Sequence, residues 1–195
     1  MDDIWERLES FLQKNAPPVY ESLAPRATEA ETADAEEVCG FSFPADVRAS
    51  YLRHDGQADE GQGFIPGYFT LLPLSQMQSE WEAGMDDPGT VSPAPEGNRA
   101  GPGVKPVYLS PAWIPFAGDI GGNSLCLDFD PAPAGVIGQI VEFDHEAYGG
   151  QQRCLAPSFR DWLGGIVGDL EAGRLVWDEE MMGYEYPEGE EVEGE

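Results

Sequence analysis

Positively charged residues are scarce in this chain of 195 residues, which has 10 lysines and arginines against 37 aspartates and glutamates. Its formal net charge of -27 repels nucleic acid and anionic membranes, so we expect the chain to bind neither. The same field attracts cationic surfaces and speeds encounters with them. The charge balance therefore predicts a protein partner with a basic surface. The competing interpretation is an acidic surface that only keeps the protein soluble.

Cysteine, histidine and long apolar runs are also scarce. The three cysteines, Cys39, Cys126 and Cys154, show no CxxC spacing, which is typical of a reducing compartment. Two histidines are too few for a usual zinc cage, and no apolar stretch approaches the roughly 18 residues of a membrane span. The acidic start of the chain lacks the features of a signal peptide. We therefore expect a cytoplasmic protein without a metal or a cofactor.

Apolar residues recur at helical spacing in several segments. Residues 3–14 and 159–170 each carry an apolar stripe, which predicts helices that dock on a core. Thr28 and Glu31 form a T-x-x-E capping box that opens a further helix, and Gly40 ends it. The inner face of that helix is expected to consist of small apolar residues, Ala30, Ala33 and Val38.

The second half of the chain alternates apolar and polar residues, which predicts short strands over 104–109, 113–116, 124–130 and 136–144. Turns between such strands imply an antiparallel or mixed sheet. In the last two strands we expect the apolar residues to share one core and the acidic residues to share an outer face. The inward residues are Leu125, Leu127, Phe129, Val141 and Phe143, and the outward residues are Asp128, Asp130, Glu142 and Asp144.

Two segments are expected to lie outside the packed part of the chain. Residues 84–106 are rich in glycine and proline, which no regular element tolerates, so they predict a mobile surface loop inserted in one domain. Residues 178–195 are rich in aspartate and glutamate and predict an acidic tail. The remaining residues 1–177 suit a single domain that buries about 70% of the unfolded chain's surface.

The stretch LCLDFD, residues 125–130, and its surroundings allow three chemical interpretations. The stretch is similar to the first motif of haloacid-dehalogenase-like phosphatases, but a proline follows it and no lysine occurs after Lys105 to complete such a site. A serine or cysteine nucleophile lacks the G-x-S-x-G motif. The sequence therefore predicts no catalytic, cofactor-binding or metal-binding residues. The metal site that remains as an alternative would draw on Asp119, Asp128, Asp130, Asp144, His145 and Glu146.

Four segments of the chain carry a resemblance to a known family. They are TEAETADAEEVCGFSFPADVRASYLRHDGQ, YFTLLPLSQM, WIPFAGDIGGNSLCLDFDPAPAGVIGQIV and SFRDWLGGIVGDL, which together span about residues 28–170. The most specific pieces are Phe43-Pro44 with the helix up to Gly56, and Trp113-Ile114-Pro115 followed by Gly121-Gly122, Leu127-Asp128 and Pro131. These segments resemble the SUKH superfamily, in particular the branch named for the yeast cell-wall assembly regulator. The 84–106 loop and the acidic tail fall outside the family pattern.

This resemblance implies an α+β domain, with a mostly antiparallel sheet, N-terminal and C-terminal helices packed around it, and no catalytic residue to transfer. Many bacterial members are immunity proteins that neutralise a cognate toxin, often a nuclease, whereas eukaryotic relatives act in signalling and cell-wall regulation. Because the charge favours a basic partner, we expect a non-enzymatic immunity protein that occludes a basic toxin surface. The alternatives are an intracellular scaffold or regulator related to the cell-wall assembly regulators and, more remotely, an Asp-dependent phosphatase.

The candidate partner-binding residues belong to the expected outer face of the sheet and its neighbouring turn. Like charges on paired strands destabilise a hairpin locally, so we expect a sheet that keeps them to present them to a cationic partner. A merely solvated outer face is the competing explanation. One tryptophan is added as an anchor of the type that dominates interfaces, with a place in the core as its alternative. The candidates are Asp119, Asp128, Asp130, Glu142, Asp144 and Trp113.

Overall fold

The computed structural model of the chain describes residues 1–58, 63–84, 92–93, 99–144, 151–180 and 182–187. Within this part of the chain, helices flank a central sheet in a single α+β domain, as the resemblance implies. None of the described helices combines the length and the apolar character that crossing a membrane requires. The helices are α1 (Asp2–Asn15), α2 (Pro17–Ser22), α3 (Glu29–Cys39), α4 (Ala45–Tyr51), α5 (Leu74–Gly84) and α6 (Phe159–Glu171).

The strands are short and mostly antiparallel. They are β1 (Thr70–Leu71), β2 (Ser92–Pro93), β3 (Arg99–Ala100), β4 (Val107–Leu109), β5 (Trp113–Gly118), β6 (Ser124–Asp128), β7 (Gln139–Phe143), β8 (Gln151–Gln152), β9 (Cys154–Ala156), β10 (Val176–Asp178) and β11 (Gly183–Glu185). Five of them form one antiparallel sheet in the order β1, β5, β6, β7, β9. This sheet is the centre of the domain, and it confirms the expected mostly antiparallel arrangement.

The predicted signals at the two ends of α3 are confirmed. The Thr28 hydroxyl accepts the Glu31 backbone N–H at 3.2 Å, and the Glu31 carboxylate accepts the Thr28 backbone N–H at 2.7 Å. These two bonds form a capping box and satisfy N–H groups that the helix itself leaves without partners. The helix ends at Gly40, whose φ of 77° is a left-handed conformation that glycine adopts without a steric penalty.

The inner face of α3 differs from the prediction. Its buried residues are Thr32, Ala35 and Cys39, whereas the exposed ones include Ala30, Ala33 and Val38. Alanines occur on both sides of this helix, so its apolar pattern does not fix its rotation, which follows instead from packing on α5. Thr32 can be buried because its hydroxyl donates to the Thr28 carbonyl at 3.0 Å.

Both faces of the central sheet carry buried side chains, although the sequence predicts one core. In the register of β6 and β7 the residue pairs include Leu125–Glu142, Leu127–Ile140 and Cys126–Val141. The two side chains of each pair lie on the same face of the sheet. The first two pairs lie on the face that packs against the helices, and the third lies on the opposite face. The prediction that Val141 and Phe143 share a core with Leu125 and Leu127 is therefore wrong by one residue along β7.

The sheet face that points away from α6, which we call the second face, is partly covered by residues 99–110. Val104 is 3% exposed and packs with Trp113 and Cys126 in a small second core. The neighbouring strands also pair, β2 with β4 and β3 with β8. These observations correct the prediction of a loop without regular structure over 84–106, because its described parts contain strands and a buried valine. The rest of that segment lies outside the described residues.

Part of the predicted acidic tail is folded. Strands β10 and β11 form a hairpin in which Tyr184 is 4% exposed. Its ring packs edge-on against Phe11 and Trp177, with centroid distances of 5.8 and 5.2 Å. The Glu185 carboxylate accepts the Gly67 backbone N–H at 2.6 Å, which ties the hairpin to the chain before β1. A tail that begins at residue 178 is therefore wrong, and the remainder from residue 188 lies outside the described part of the chain.

Candidate functional site

A groove of about 460 Å³ opens on the second face of the sheet, where α5 and β4 meet β5 and β6. We call it the α5 groove. Volume and lining of this kind are typical of sites that accept small molecules or side chains of a partner. The large apolar side chains of its lining are Trp81, Tyr108, Leu109, Trp113, Pro115 and Phe143.

Hydrogen bonds and ring contacts hold the lining of the α5 groove in place. The Trp81 indole N–H donates to the Pro111 carbonyl at 3.0 Å, which ties α5 to the turn before β5. The Tyr108 ring packs edge-on against Phe143, with centroids 5.5 Å apart. Such edge-to-face contacts stabilise aromatic pairs beyond the area they bury. The groove is therefore a built part of the fold rather than a gap between loose side chains.

Two carboxylates, Glu80 and Asp119, border both the α5 groove and a second hollow of about 310 Å³. Asp119 is fixed by the turn between β5 and β6, because its Oδ1 accepts the backbone N–H groups of Gly121 and Asn123, each at 2.8 Å. The Glu80 carboxylate lies close to β5, because one of its oxygens is 3.4 Å from the position that a Cβ on Gly118 would occupy. The two hollows thus meet beside a pair of negative charges.

Asp128 and Trp113, two of the six predicted contacts, are buried, at 0% and 2% exposure. The Asp128 carboxylate accepts the Gln139 side-chain amide at 2.9 Å and the Asp130 backbone N–H at 3.0 Å, and Trp113 also bonds to it. Gln139 in turn donates to the Gly103 carbonyl at 2.8 Å, so the network joins the sheet to the segment that covers it. The prediction that Asp128 faces outward is wrong, and its role is structural.

Burial also bears on the chemistry of Asp128. Burial raises the pKa of this carboxyl above its ordinary value, although the bonds from its donors act in the opposite direction. A nucleophilic aspartate must reach its substrate, whereas this one is enclosed and already accepts hydrogen bonds. The geometry therefore argues against the Asp-dependent phosphatase.

Three of the other predicted contacts have separate surroundings. Asp130 pairs with Lys105 at 2.5 Å. Glu142 pairs with Arg153 at 3.1 Å on the helix side of the sheet, where it lines a different hollow of about 410 Å³. Asp144 is exposed just after β7. The common outer face that the sequence predicts does not form, and partner binding by these residues stays a prediction.

Most of the positive charge is used within the molecule. Of the 10 lysines and arginines, seven form ion pairs with carboxylates inside the described part of the chain, namely Arg7, Arg48, Arg53, Lys105, Arg153, Arg160 and Arg174. Among the described residues that line the α5 groove there are two carboxylates and no lysine or arginine. The described lining of the groove is therefore negatively charged.

No three histidine, cysteine, aspartate or glutamate side chains of the described residues lie together in a way that could hold a metal ion. His145 and Glu146, two members of the alternative metal site, lie outside the described residues. Burial raises the pKa of the Cys126 thiol far above its ordinary value, which disfavours the thiolate that a cysteine nucleophile requires.

The chain thus folds into an α+β domain in which one face of the sheet is partly open as a groove. Comparison with known families identifies it further. The SMI1 / KNR4 family (SUKH-1) matches residues 26–165, which is more than half of the chain. The chain belongs to this family, as its sequence segments indicate. The match runs from just before α3 into α6 and includes every residue that lines the α5 groove.

Curated proteins that are similar to the chain carry the names of regulators. The chain is 31% identical over 92% of its length to the cell wall biosynthesis/cell cycle regulator smi1 of Schizosaccharomyces pombe. It is 28% identical over 90% to the glucan synthesis regulatory protein of Neurospora crassa, and 26% identical over 96% to the cell wall assembly regulator SMI1 of Saccharomyces cerevisiae. The chain spans 38%, 39% and 44% of these three relatives. The names favour the regulator alternative over the toxin-neutralising expectation.

Sequence reasoning missed most of the α5 groove. Only Asp119 and Trp113 of the six predicted contacts line it, and Glu80, Trp81 and Tyr108 are absent from that prediction. Trp81 follows the buried Met77 by four residues on α5, a spacing that is typical of core residues. The one available signal is an aromatic side chain beside a carboxylate near the end of a helix, and that signal is weak by itself.

Proposed function

We propose that the chain is an intracellular, non-enzymatic regulatory domain that acts by binding another protein through the α5 groove, in a regulator of cell-wall assembly or glucan synthesis. The observation that carries this proposal is the 31% identity over 92% of the chain to a cell-wall regulator. Because the chain spans 38% of that relative, the role is assigned to a domain and not to the relative's full activity.

The geometry of the groove supports binding as the mode of action. Its aromatic lining offers buried contact area, and its two carboxylates offer direction and charge. The groove lies inside the region that the family shares. The net charge of -27 supports a partner with a basic surface. Neutralisation of a toxin stays a prediction without support from the relatives' names.

A domain replacement tests the proposal. In Schizosaccharomyces pombe, the part of the smi1 regulator that is similar to this chain would be replaced by the chain, and the glucan content of the wall would be measured. We expect cells with the replacement to keep a glucan content close to that of the parent. Cells that lack the replaced part should differ clearly from both.

Two controls make the result interpretable. A Val167→Asp variant buries a charge in the core, where Val167 is 0% exposed, and should fail because it does not fold. The amount of the replaced regulator is measured in every strain. A folded replacement at the parental amount that leaves the wall like that of cells without this part would contradict the proposal.

A further inference from the structure

We propose that the α5 groove binds a short peptide segment in which an aromatic or large aliphatic side chain is flanked by lysine or arginine. The inference rests on the proposed function in one respect, that the partner is a protein. It adds the chemical class of the segment that the groove accepts, and it follows from the shape and charge of the groove itself.

The apolar part of the segment is required by the lining. Trp81, Tyr108 and Phe143 present ring surface to a hollow of about 460 Å³. A peptide with only hydrophilic side chains would leave this surface in contact with water, whereas an aromatic side chain would replace the water with ring contacts. One large side chain in a hollow of this kind is the usual anchor of a peptide interface.

The basic part of the segment is required by the two carboxylates. Glu80 and Asp119 lie where the α5 groove and the second hollow meet, so a chain that crosses from one to the other passes both. Asp119 uses its oxygens to accept three hydrogen bonds within its own turn, from Gly121 and Asn123, and a carboxylate has about four acceptor positions. A lysine or arginine at this point gains a charge-assisted bond.

The second hollow gives the segment a place to continue. Ile120 borders it at 87% exposure, at the tip of the turn between β5 and β6. Tyr68 borders the same hollow with a φ of 61°, a backbone conformation that residues other than glycine seldom adopt. Apolar side chains thus lie on both sides of the charged crossing, which suits a peptide longer than a single residue.

Charge complementarity favours a basic peptide segment over two other candidates for binding in the groove, the C-terminal residues of the chain and a second copy of the chain. Residues 188–195 of the chain carry five glutamates and no basic residue, so their charge is the wrong sign for the rim. A second copy of the chain brings a net charge of -27 to a surface that is itself acidic. A cationic partner segment gains from both the local carboxylates and the wider field.

The first measurement compares three fluorescein-labelled peptides of equal length, with Gly-Ser flanks and the centres Lys-Trp-Lys, Lys-Ala-Lys and Glu-Trp-Glu. Fluorescence anisotropy is followed as the full chain is added in about 0.15 M NaCl, where long-range charge effects are screened. We expect the Lys-Trp-Lys peptide to bind about tenfold more tightly than either of the others, because each of the others lacks one kind of contact.

A matched pair of variants locates the binding. Glu80→Gln keeps the shape of the side chain and removes its charge from the groove. Glu82→Gln removes the same charge two residues along α5, at an exposed position that does not line the groove. Glu80→Gln should weaken Lys-Trp-Lys binding about fivefold and Glu82→Gln should leave it unchanged.

A second pair of variants tests whether the peptide binds in the α5 groove, at a position where a substitution leaves the core intact. Ala83 lines the groove, is exposed and lies in the last turn of α5, so a lysine is compatible with the helix there. Ala83→Lys should weaken binding more than Ala83→Gln, because the added ammonium competes with that of the peptide. Circular dichroism checks that both variants fold.

Three outcomes would overturn the inference. The first is equal binding of the Lys-Trp-Lys and Lys-Ala-Lys peptides, and the second is equal weakening by Glu80→Gln and Glu82→Gln. The third is a dimer in sedimentation that Ala83→Lys dissociates, because the groove would then bind a second copy of the chain. The peptide assay needs no cell, so it can fail while the domain replacement succeeds, or succeed while the replacement fails. The two proposals are thereby distinguishable.

Discussion

At the residue scale, the hydrogen bonds of Asp128 make it a structural carboxylate. Asp128→Ala would leave the side chains of Gln139 and Trp113 and the Asp130 N–H without their buried acceptor. We expect the free energy of unfolding to fall by about 2–4 kcal/mol, measured by urea denaturation.

Asp34→Ala is the control for that experiment, because Asp34 is exposed on α3. Its effect should stay within about 0.5 kcal/mol. Similar losses for the two variants would mean that the buried network adds no more stability than an exposed carboxylate does.

Glu9 gives a prediction about pH at the same scale. Its two carboxylate oxygens accept Arg53 Nε and Nη2, each at 2.7 Å, and these bonds lower the pKa of Glu9 below its ordinary value. The unfolded chain therefore binds more protons than the folded chain in the acid range. The stabilisation is complete above the ordinary glutamate pKa of about 4.3 and is lost as the pH falls through the lowered value.

Glu9→Gln should accordingly flatten the loss of stability on acidification. The measurement is the free energy of unfolding in urea at a series of pH values between about 3 and 7. Glu6→Gln removes a carboxylate at an exposed position on the same helix and is the matched control. A Glu9→Gln chain with the parental slope would show that the Arg53 pair contributes nothing to the acid response.

At the scale of elements, the β10–β11 hairpin belongs to the core. Tyr184→Ala removes a ring that is 4% exposed and lies between Phe11 and Trp177. We expect the free energy of unfolding to fall by about 3 kcal/mol, measured by chemical denaturation. Glu180→Ala, at an exposed position between the two strands, should change it little. No effect of Tyr184→Ala would support the acidic-tail interpretation instead.

The elements that sequence predicts well are those whose apolar residues lie on one side only. The stripe of α6 is confirmed in full, and its members are Phe159, Trp162, Leu163, Ile166, Val167 and Leu170. The phase of β7 is wrong for the opposite reason, because a strand that is buried on both faces has no solvated side to mark it. In α3 the alanines leave the rotation of the helix undetermined.

The α5 groove is harder to predict from sequence than any single helix or strand. It requires α5, which ends at Gly84, to meet β4, which begins at Val107, over strands that follow both in the chain. Local periodicity carries no information about this contact between elements, because the contact depends on packing between segments that are distant in the sequence. Asp119 belongs to the predicted contacts as a residue of the turn next to the expected outer face, and a turn of this kind is what local sequence can reveal.

At the scale of the whole molecule, the high net negative charge predicts that repulsion among carboxylates outweighs the ion pairs. Among the described residues seven cations form ion pairs, whereas the whole sequence has 37 acidic residues and a net charge of -27. Raising the salt from about 0.01 to 0.15 M shortens the Debye length from about 30 to 8 Å and screens this repulsion. We expect the thermal midpoint to rise with salt in calorimetry. A fall would mean that the ion pairs dominate.

A variant of the groove tested in cells links the groove to the regulatory role. In the Schizosaccharomyces pombe replacement strain, the chain would carry either Ala83→Lys or Ala83→Gln, and wall glucan would be measured with both proteins at equal amounts. We expect Ala83→Lys to shift glucan content toward that of cells without this part, and Ala83→Gln to keep it close to that of the unsubstituted replacement. Equal glucan content with the two variants would contradict a regulatory role exercised through the α5 groove.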